Sequence, residues 1–290
     1  MSKTETKKTN KKTSKSQFTI KLDNSKVLKT IVETLSKIFD EANFIVSPKE
    51  LIVRGMDPSR ICLLELRYKK GDFNEFQCNT KCKVGLMLED FDKILKRASS
   101  DDALELSFKE DEQKLKIKMI RENSTKSRVF SLMSQDLDIE DPPLENLNSQ
   151  EYPAIWSIDP DFFVEALKDG EIYSEVLNIK ATENIGLSFT SSGTIGEMEY
   201  ELGIDDFISD ELSDTQEGSF SITFLKSIMK LSAITEKMEI SAKTDHPIKM
   251  IFTLLEGAEL KYYLAPRVEQ EDSEGIEEIE DSEIVEEEEA

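Results

Sequence analysis

The chain has one histidine, His246, and three cysteines, Cys62, Cys78 and Cys82, among 290 residues. With so few ligands, metal chemistry has little to build on. Cys78 and Cys82 are separated by three residues rather than two and have no second pair, and His246 falls in a turn-like stretch far along the chain, so a zinc site is not expected. An odd number of thiols without a framework of spaced pairs suits a reducing compartment rather than a secreted disulfide scaffold. No apolar run approaches the length of a membrane span, and the N-terminus shows no apolar signal region. No glycine-rich phosphate loop and no nucleophile–base arrangement is present, so neither a catalytic residue nor a cofactor is expected. The paired acids Asp101-Asp102 and Asp205-Asp206 invite comparison with a metal-dependent nuclease. Both lie in polar, turn-like stretches, where solvated carboxylates are the plainer account.

What is abundant is negative charge. The formal net charge is -23 and 38% of the residues are hydrophobic, which is enough for a core. The charge is unevenly spread. Residues 268–290 hold thirteen carboxylates and no lysine or arginine, whereas residues 1–16 hold six lysines against one glutamate. The two ends read as disordered arms, basic in front and acidic behind. An acidic histone-like chaperone working through the tail is one function that this composition allows.

Between the arms, short strand-like runs alternate with a few helices. FTIKL (18–22) alternates with period two, and Asp23-Asn24-Ser25 offers caps for a helix reaching Phe39, with Val27, Ile31, Leu35 and Ile38 on its apolar face. NFIVS, LIVRGM, ICLLELRY and FQCNT read as strands. DFDKILKRA (90–98) reads as a helix burying Phe91, Ile94, Leu95 and Ala98. ALELSF and KLKIKMI follow as strands around the turn KEDEQ. The second half repeats this order: residues 91–119 run parallel to 224–252, and the first helix has a shorter counterpart in PDFFVEALKDG (160–170). A repeat of half a chain points to two similar domains, 17–133 and 152–267, joined by the proline-bearing linker 134–151.

Cations recur on the polar faces of all four helices: Lys29 and Lys37; Lys93, Lys96 and Arg97; Lys168; Lys226 and Lys230. On a strongly acidic chain such a pattern suggests a positive surface assembled from helices to face a polyanion.

GMDPSRICLLELRY (55–68), DFDKILKRA, LMSQDLDIE (132–140) and above all LKYYLAPR (260–267) closely resemble the proliferating cell nuclear antigen family, the sliding clamps of archaeal and eukaryotic replication. The resemblance runs from 17 to 267 and leaves the arms outside. It implies an α+β fold of two similar clamp domains per chain, with helices lining a lumen and antiparallel sheets outside. It further implies a ring of three subunits around duplex DNA, either a homotrimer or a trimer of related chains. Such a protein works inside the cell with the DNA, in an archaeal cytoplasm or nucleoid by preference and in a nucleus if eukaryotic.

The family's functional positions carry over by residue. Lys93, Lys96, Lys168 and Lys230 match its lumen lysines, and Lys29, Lys37, Arg97 and Lys226 share those faces, while Ser36 and Glu165 stand where the family usually has cations. The partner pocket under the connector matches Met56, Leu63, Pro247, Tyr263, Ala265 and Pro266, with Leu144 and Leu147 above it. The family's partners, among them DNA polymerase, clamp loader, flap endonuclease and DNA ligase, bring a short motif of a glutamine, an aliphatic and two aromatics. The subunit interface matches strands 125–133, with Lys126 and Arg128, and 196–202, with Glu197, Glu199 and Glu201, so that opposite charges meet across paired edges.

Overall fold

Alternation of apolar and polar residues builds most of this molecule. In Lys114–Arg121, Leu115, Ile117 and Met119 are buried while the lysines between them face out, the pattern of a strand with one wet face. The computed structural model describes residues 17–121 and 126–267. The arms expected at 1–16 and 268–290, and Thr125 of the expected interface strand, lie outside the described residues.

The first half runs β1 (Gln17–Leu22), α1 (Lys26–Leu35), β2 (Glu41–Val46), β3 (Glu50–Met56), β4 (Cys62–Lys69), β5 (Glu75–Cys78), β6 (Cys82–Met87), α2 (Leu88–Leu95), β7 (Asp102–Lys109), β8 (Lys114–Arg121) and β9 (Ser127–Met133). A short helix α3 (Leu144–Asn148) follows. The second half runs β10 (Ala154–Ser157), α4 (Pro160–Gly170), β11 (Val176–Thr182), β12 (Gly186–Gly193), β13 (Gly196–Gly203), β14 (Ser209–Leu212), β15 (Gln216–Ser221), α5 (Ile222–Ile228), β16 (Thr235–Ala242), β17 (Ile248–Leu254) and β18 (Glu259–Leu264). Each half is therefore one strand, a helix, five strands, a second helix and three strands.

Three antiparallel sheets result, ordered β5-β1-β7-β8-β9, β13-β12-β11-β15 and β14-β10-β16-β17-β18-β4-β3-β2-β6. The nine-stranded sheet is the five-stranded unit of the second half fused to the four-stranded unit of the first. The fusion is the pairing of β18 with β4, where Tyr262 meets Leu64 and Tyr263 meets Leu63. On the inner side of the sheets α1 packs against α2 and against the 3₁₀ segment Met229–Ile234, which also packs on α4 and α5. The four helices thus form one continuous row. Among the described residues no helix is long and apolar enough to cross a membrane.

Several local expectations need correction. α1 stops at Leu35 rather than Phe39, α2 runs Leu88–Leu95 rather than 90–98, and Ser25 is buried, its hydroxyl donating to the Ser99 carbonyl instead of capping the helix. α4, at 11 residues, is no shorter than α1, at 10. β6 was not expected. Its Gly85 lets the chain following β9 lie directly on the strand, since a Cβ there would sit 2.3 Å from the Gln135 carbonyl oxygen. The linker carries α3 where no periodicity was visible.

Leu64 is fully buried at the β18–β4 junction. Leu64→Ala should cost about 2–5 kcal/mol in denaturant-induced unfolding. Ile185→Ala, at a side chain 69% exposed, should stay within about 0.5 kcal/mol.

Candidate functional site

The cations of the helix row do not form a uniform positive face. On α2, Lys93 pairs with Glu89 at 2.7 Å, one turn back, and Lys96, just past the helix end, pairs with Asp92 at 2.7 Å and with Glu33 of α1 at 3.7 Å. The hydrogen bond that Lys93 donates to Glu89 raises the Lys93 pKa, and the one that Lys96 donates to Asp92 raises the Lys96 pKa. Lys226 pairs with Glu171, and the Lys29 ammonium donates to the Ala98 carbonyl at 3.2 Å just beyond α2. Among the described residues Lys37, Arg97, Lys168 and Lys230 form no ion pair. α4 sets Asp161, Glu165 and Asp169 against its single Lys168. Lys230 is not on α5, as its spacing from Lys226 suggested. α5 ends at Ile228 and Lys230 falls in the 3₁₀ segment, whose Met229, Leu231 and Ile234 are buried.

On the opposite side of the nine-stranded sheet, one row of side chains crosses three strands. Met56 of β3 lies opposite Leu63 of β4, and Leu63 opposite Tyr263 of β18. Leu144 and Leu147 of α3 close over them, giving a small apolar cluster separate from the main core. The Tyr263 hydroxyl donates to Asn148 Oδ1 at 3.0 Å, tying the sheet to α3, and burial pushes its pKa up to about 12. Beside the cluster opens a cleft of about 310 Å³ lined by Met56, Leu63, Leu147, Pro247, Tyr263 and Ala265, together with Arg60, Ile61, Cys62, Pro143 and Asn146. Pro266 does not line it. The sequence reading missed Arg60 and Ile61, whose only signal was the turn-forming Asp57-Pro58 before them.

Next along the same face, Glu65 is buried between Arg54, at 2.6 Å, and Arg67, at 2.8 Å. Burial alone would raise the Glu65 pKa, but hydrogen bonds from Arg67 and Arg54 outweigh it and hold the carboxyl below its usual range.

β9 and β13 are both outermost strands of their sheets. Glu197, Glu199 and Glu201 are exposed along β13, while β9 exposes Val129 and Met133, 61% and 56% accessible. Lys126 is exposed immediately before β9. Arg128 is not free to face a neighbour's glutamates: its guanidinium donates to Asp102 at 2.9 Å, and Arg121 lies 3.5 Å from the same carboxylate. Asp102 itself is buried at the start of β7 and accepts the Ser99 amide. It is therefore an internal ion-pair partner, not the solvated turn acid expected from its sequence context.

The descriptions "Proliferating cell nuclear antigen, N-terminal domain" and "Proliferating cell nuclear antigen, C-terminal domain" match residues 17–141 and 146–267. The chain belongs to the proliferating cell nuclear antigen family. The DNA polymerase sliding clamp of Thermofilum pendens is 33% identical over 244 residues, covering 83% of this chain and 95% of that protein. The proliferating cell nuclear antigen of Caenorhabditis elegans is 26% identical over 264 residues, covering 88% of this chain and 99% of that one. The crystal structure of the proliferating cell nuclear antigen from Thermococcus kodakaraensis superposes with a TM-score of 0.77 at 24% identity, covering 86% of this chain and all of that one. This member thus has the sliding-clamp fold of two related domains, and sliding-clamp function is the family's.

Tyr263→Phe keeps the ring and removes the hydrogen bond to α3. It should cost about 0.5–1.5 kcal/mol and speed amide exchange over 144–148, read by hydrogen-exchange mass spectrometry, while the β18 amides stay protected.

Proposed function

We propose that copies of this chain join edge to edge, β9 of one against β13 of the next, and close into a ring that encircles duplex DNA. One observation carries the reading. β9 holds in the first half the topological place that β18 holds in the second, and β13 holds the place of β4. β18 and β4 are already paired within the chain. Their counterparts are the two long edges left over, and pairing them repeats the internal junction from chain to chain.

The remaining edges do not compete. β5 and β14 have four residues each, β6 is bridged by Gln135, and β15 receives the Arg267 amide on the Ser219 carbonyl. A head-to-tail contact of this kind gives a ring when its rotation closes. By likeness to the family the ring has three chains, with 17–133 and 152–267 as the clamp domains and 134–151 as the connector.

The helix row then lines the hole. Lys37, Arg97, Lys168 and Lys230 offer unpaired cations to phosphates, with Lys29, Lys93, Lys96 and Lys226 sharing their charge with nearby acceptors. Phosphate contacts hold DNA without reading its sequence, which suits sliding. The acidic exterior repels DNA everywhere else. The cleft around Met56, Leu63 and Tyr263 receives the glutamine–aliphatic–aromatic motif of the polymerase, clamp loader, flap endonuclease and ligase. The protein acts by binding and tethering rather than by catalysis.

Light scattering at micromolar concentration should give about three times the 33.1 kDa mass of one chain. Val129→Glu on the bare edge should shift the mass to that of a single chain without changing the circular dichroism spectrum. A wild-type monomer would overturn the homotrimer, and a trimer of related chains would then require its paralogues to be mixed in.

A further inference from the structure

Arg60 stands out among the residues lining the connector cleft. Its backbone has φ 58°, the left-handed region that glycine occupies freely and other L residues at a cost. The loop carrying it is held at several points. Asp57 Oδ1 accepts the Cys62 amide at 2.6 Å and Asp57 Oδ2 the Ser59 amide at 3.0 Å. The Arg60 amide donates to the Asp57 carbonyl, and the Ala265 amide donates to the Ile61 carbonyl.

The nearest acid in sequence, Asp57, is therefore used up by backbone groups. Among the described residues Arg60 forms no ion pair, although the chain has 60 acidic residues against 37 basic ones. The other arginines of this sheet face, Arg54 and Arg67, both hold Glu65. An unpaired, exposed guanidinium is thus kept in a strained conformation on a pinned loop, at the mouth of an apolar cleft. Such local strain is retained where it positions a group for use.

We propose that Arg60 reads a carboxylate on the incoming partner, so that the cleft prefers segments whose apolar anchors are flanked by an aspartate or glutamate. This rests on the cleft being the partner site. The guanidinium fork matches a carboxylate in geometry and charge, whereas the rest of this strongly acidic surface repels one. The arginine thereby gives local discrimination against the field of the whole molecule.

The test uses the full chain and two peptides of the glutamine–aliphatic–aromatic type, identical except that the residues flanking the aromatics are glutamate in one and glutamine in the other. Arg60→Gly relieves the positive φ and changes the net charge by a single unit, so folding should be unharmed. By calorimetry it should weaken the glutamate peptide roughly two- to fivefold and leave the glutamine peptide unchanged. Arg60→Glu should widen the gap further. Met56→Asp, which buries an unpaired charge in the cleft, should abolish binding of both peptides. Equal changes for the two peptides on Arg60→Gly, or none, with Met56→Asp still abolishing both, would overturn the role of Arg60 and leave the cleft standing. Failure of wild type to bind either peptide, or binding indifferent to Met56→Asp, would overturn the cleft and this proposal with it.

Discussion

Every backbone N–H and C=O at a sheet edge needs a partner, and the architecture of this chain follows from how that need is met. β18 and β4 meet it for each other, and their pairing joins two half-chains into one nine-stranded sheet. The same pairing places Leu63 beside Tyr263 on one face and Leu64 beside Tyr262 on the other. The first pair founds the apolar cluster under α3, the proposed partner site. The second knits the two halves' cores together behind the helix row. The edges β9 and β13, which the single chain leaves bare, carry the same logic outward in the proposed assembly.

Electrostatics plays a subtler part than the lysine pattern suggests. Glu89 and Asp92 hold Lys93 and Lys96, and α4 is acidic on balance, so the helix row is close to charge-balanced rather than strongly positive. In the proposed ring, contact with DNA along such a surface is weak, and with few cations neutralising phosphates its salt dependence is shallow. Closure around the duplex does the holding there, and the unpaired cations offer its phosphates only loose contacts.

Much of this was legible in the sequence. Period-two alternation in KLKIKMI and helical spacing in DFDKILKRA located β8 and α2, and the repeat of 91–119 in 224–252 revealed the doubled topology. The row Met56–Leu63–Tyr263 was legible only through likeness to a family, because strand register is a long-range property that no local pattern encodes. Other features were hidden for related reasons. β6 escaped notice because Lys83 and Gly85 break its run. The role of Asp102 depends on Arg128, 26 residues away. Arg60 looked like any turn residue until its loop was pinned against Ala265. The ion pair of Lys96 needs Asp92 buried one turn back, which helix periodicity alone does not reveal.

In the proposed ring, encirclement rather than contact keeps the protein on DNA. Retention of the loaded protein on closed circular duplex, compared over the same interval with retention after a single cut in that circle, tests it most directly. An encircling ring persists on the intact circle and is lost from the free ends once it is cut. Equal retention on both would contradict it.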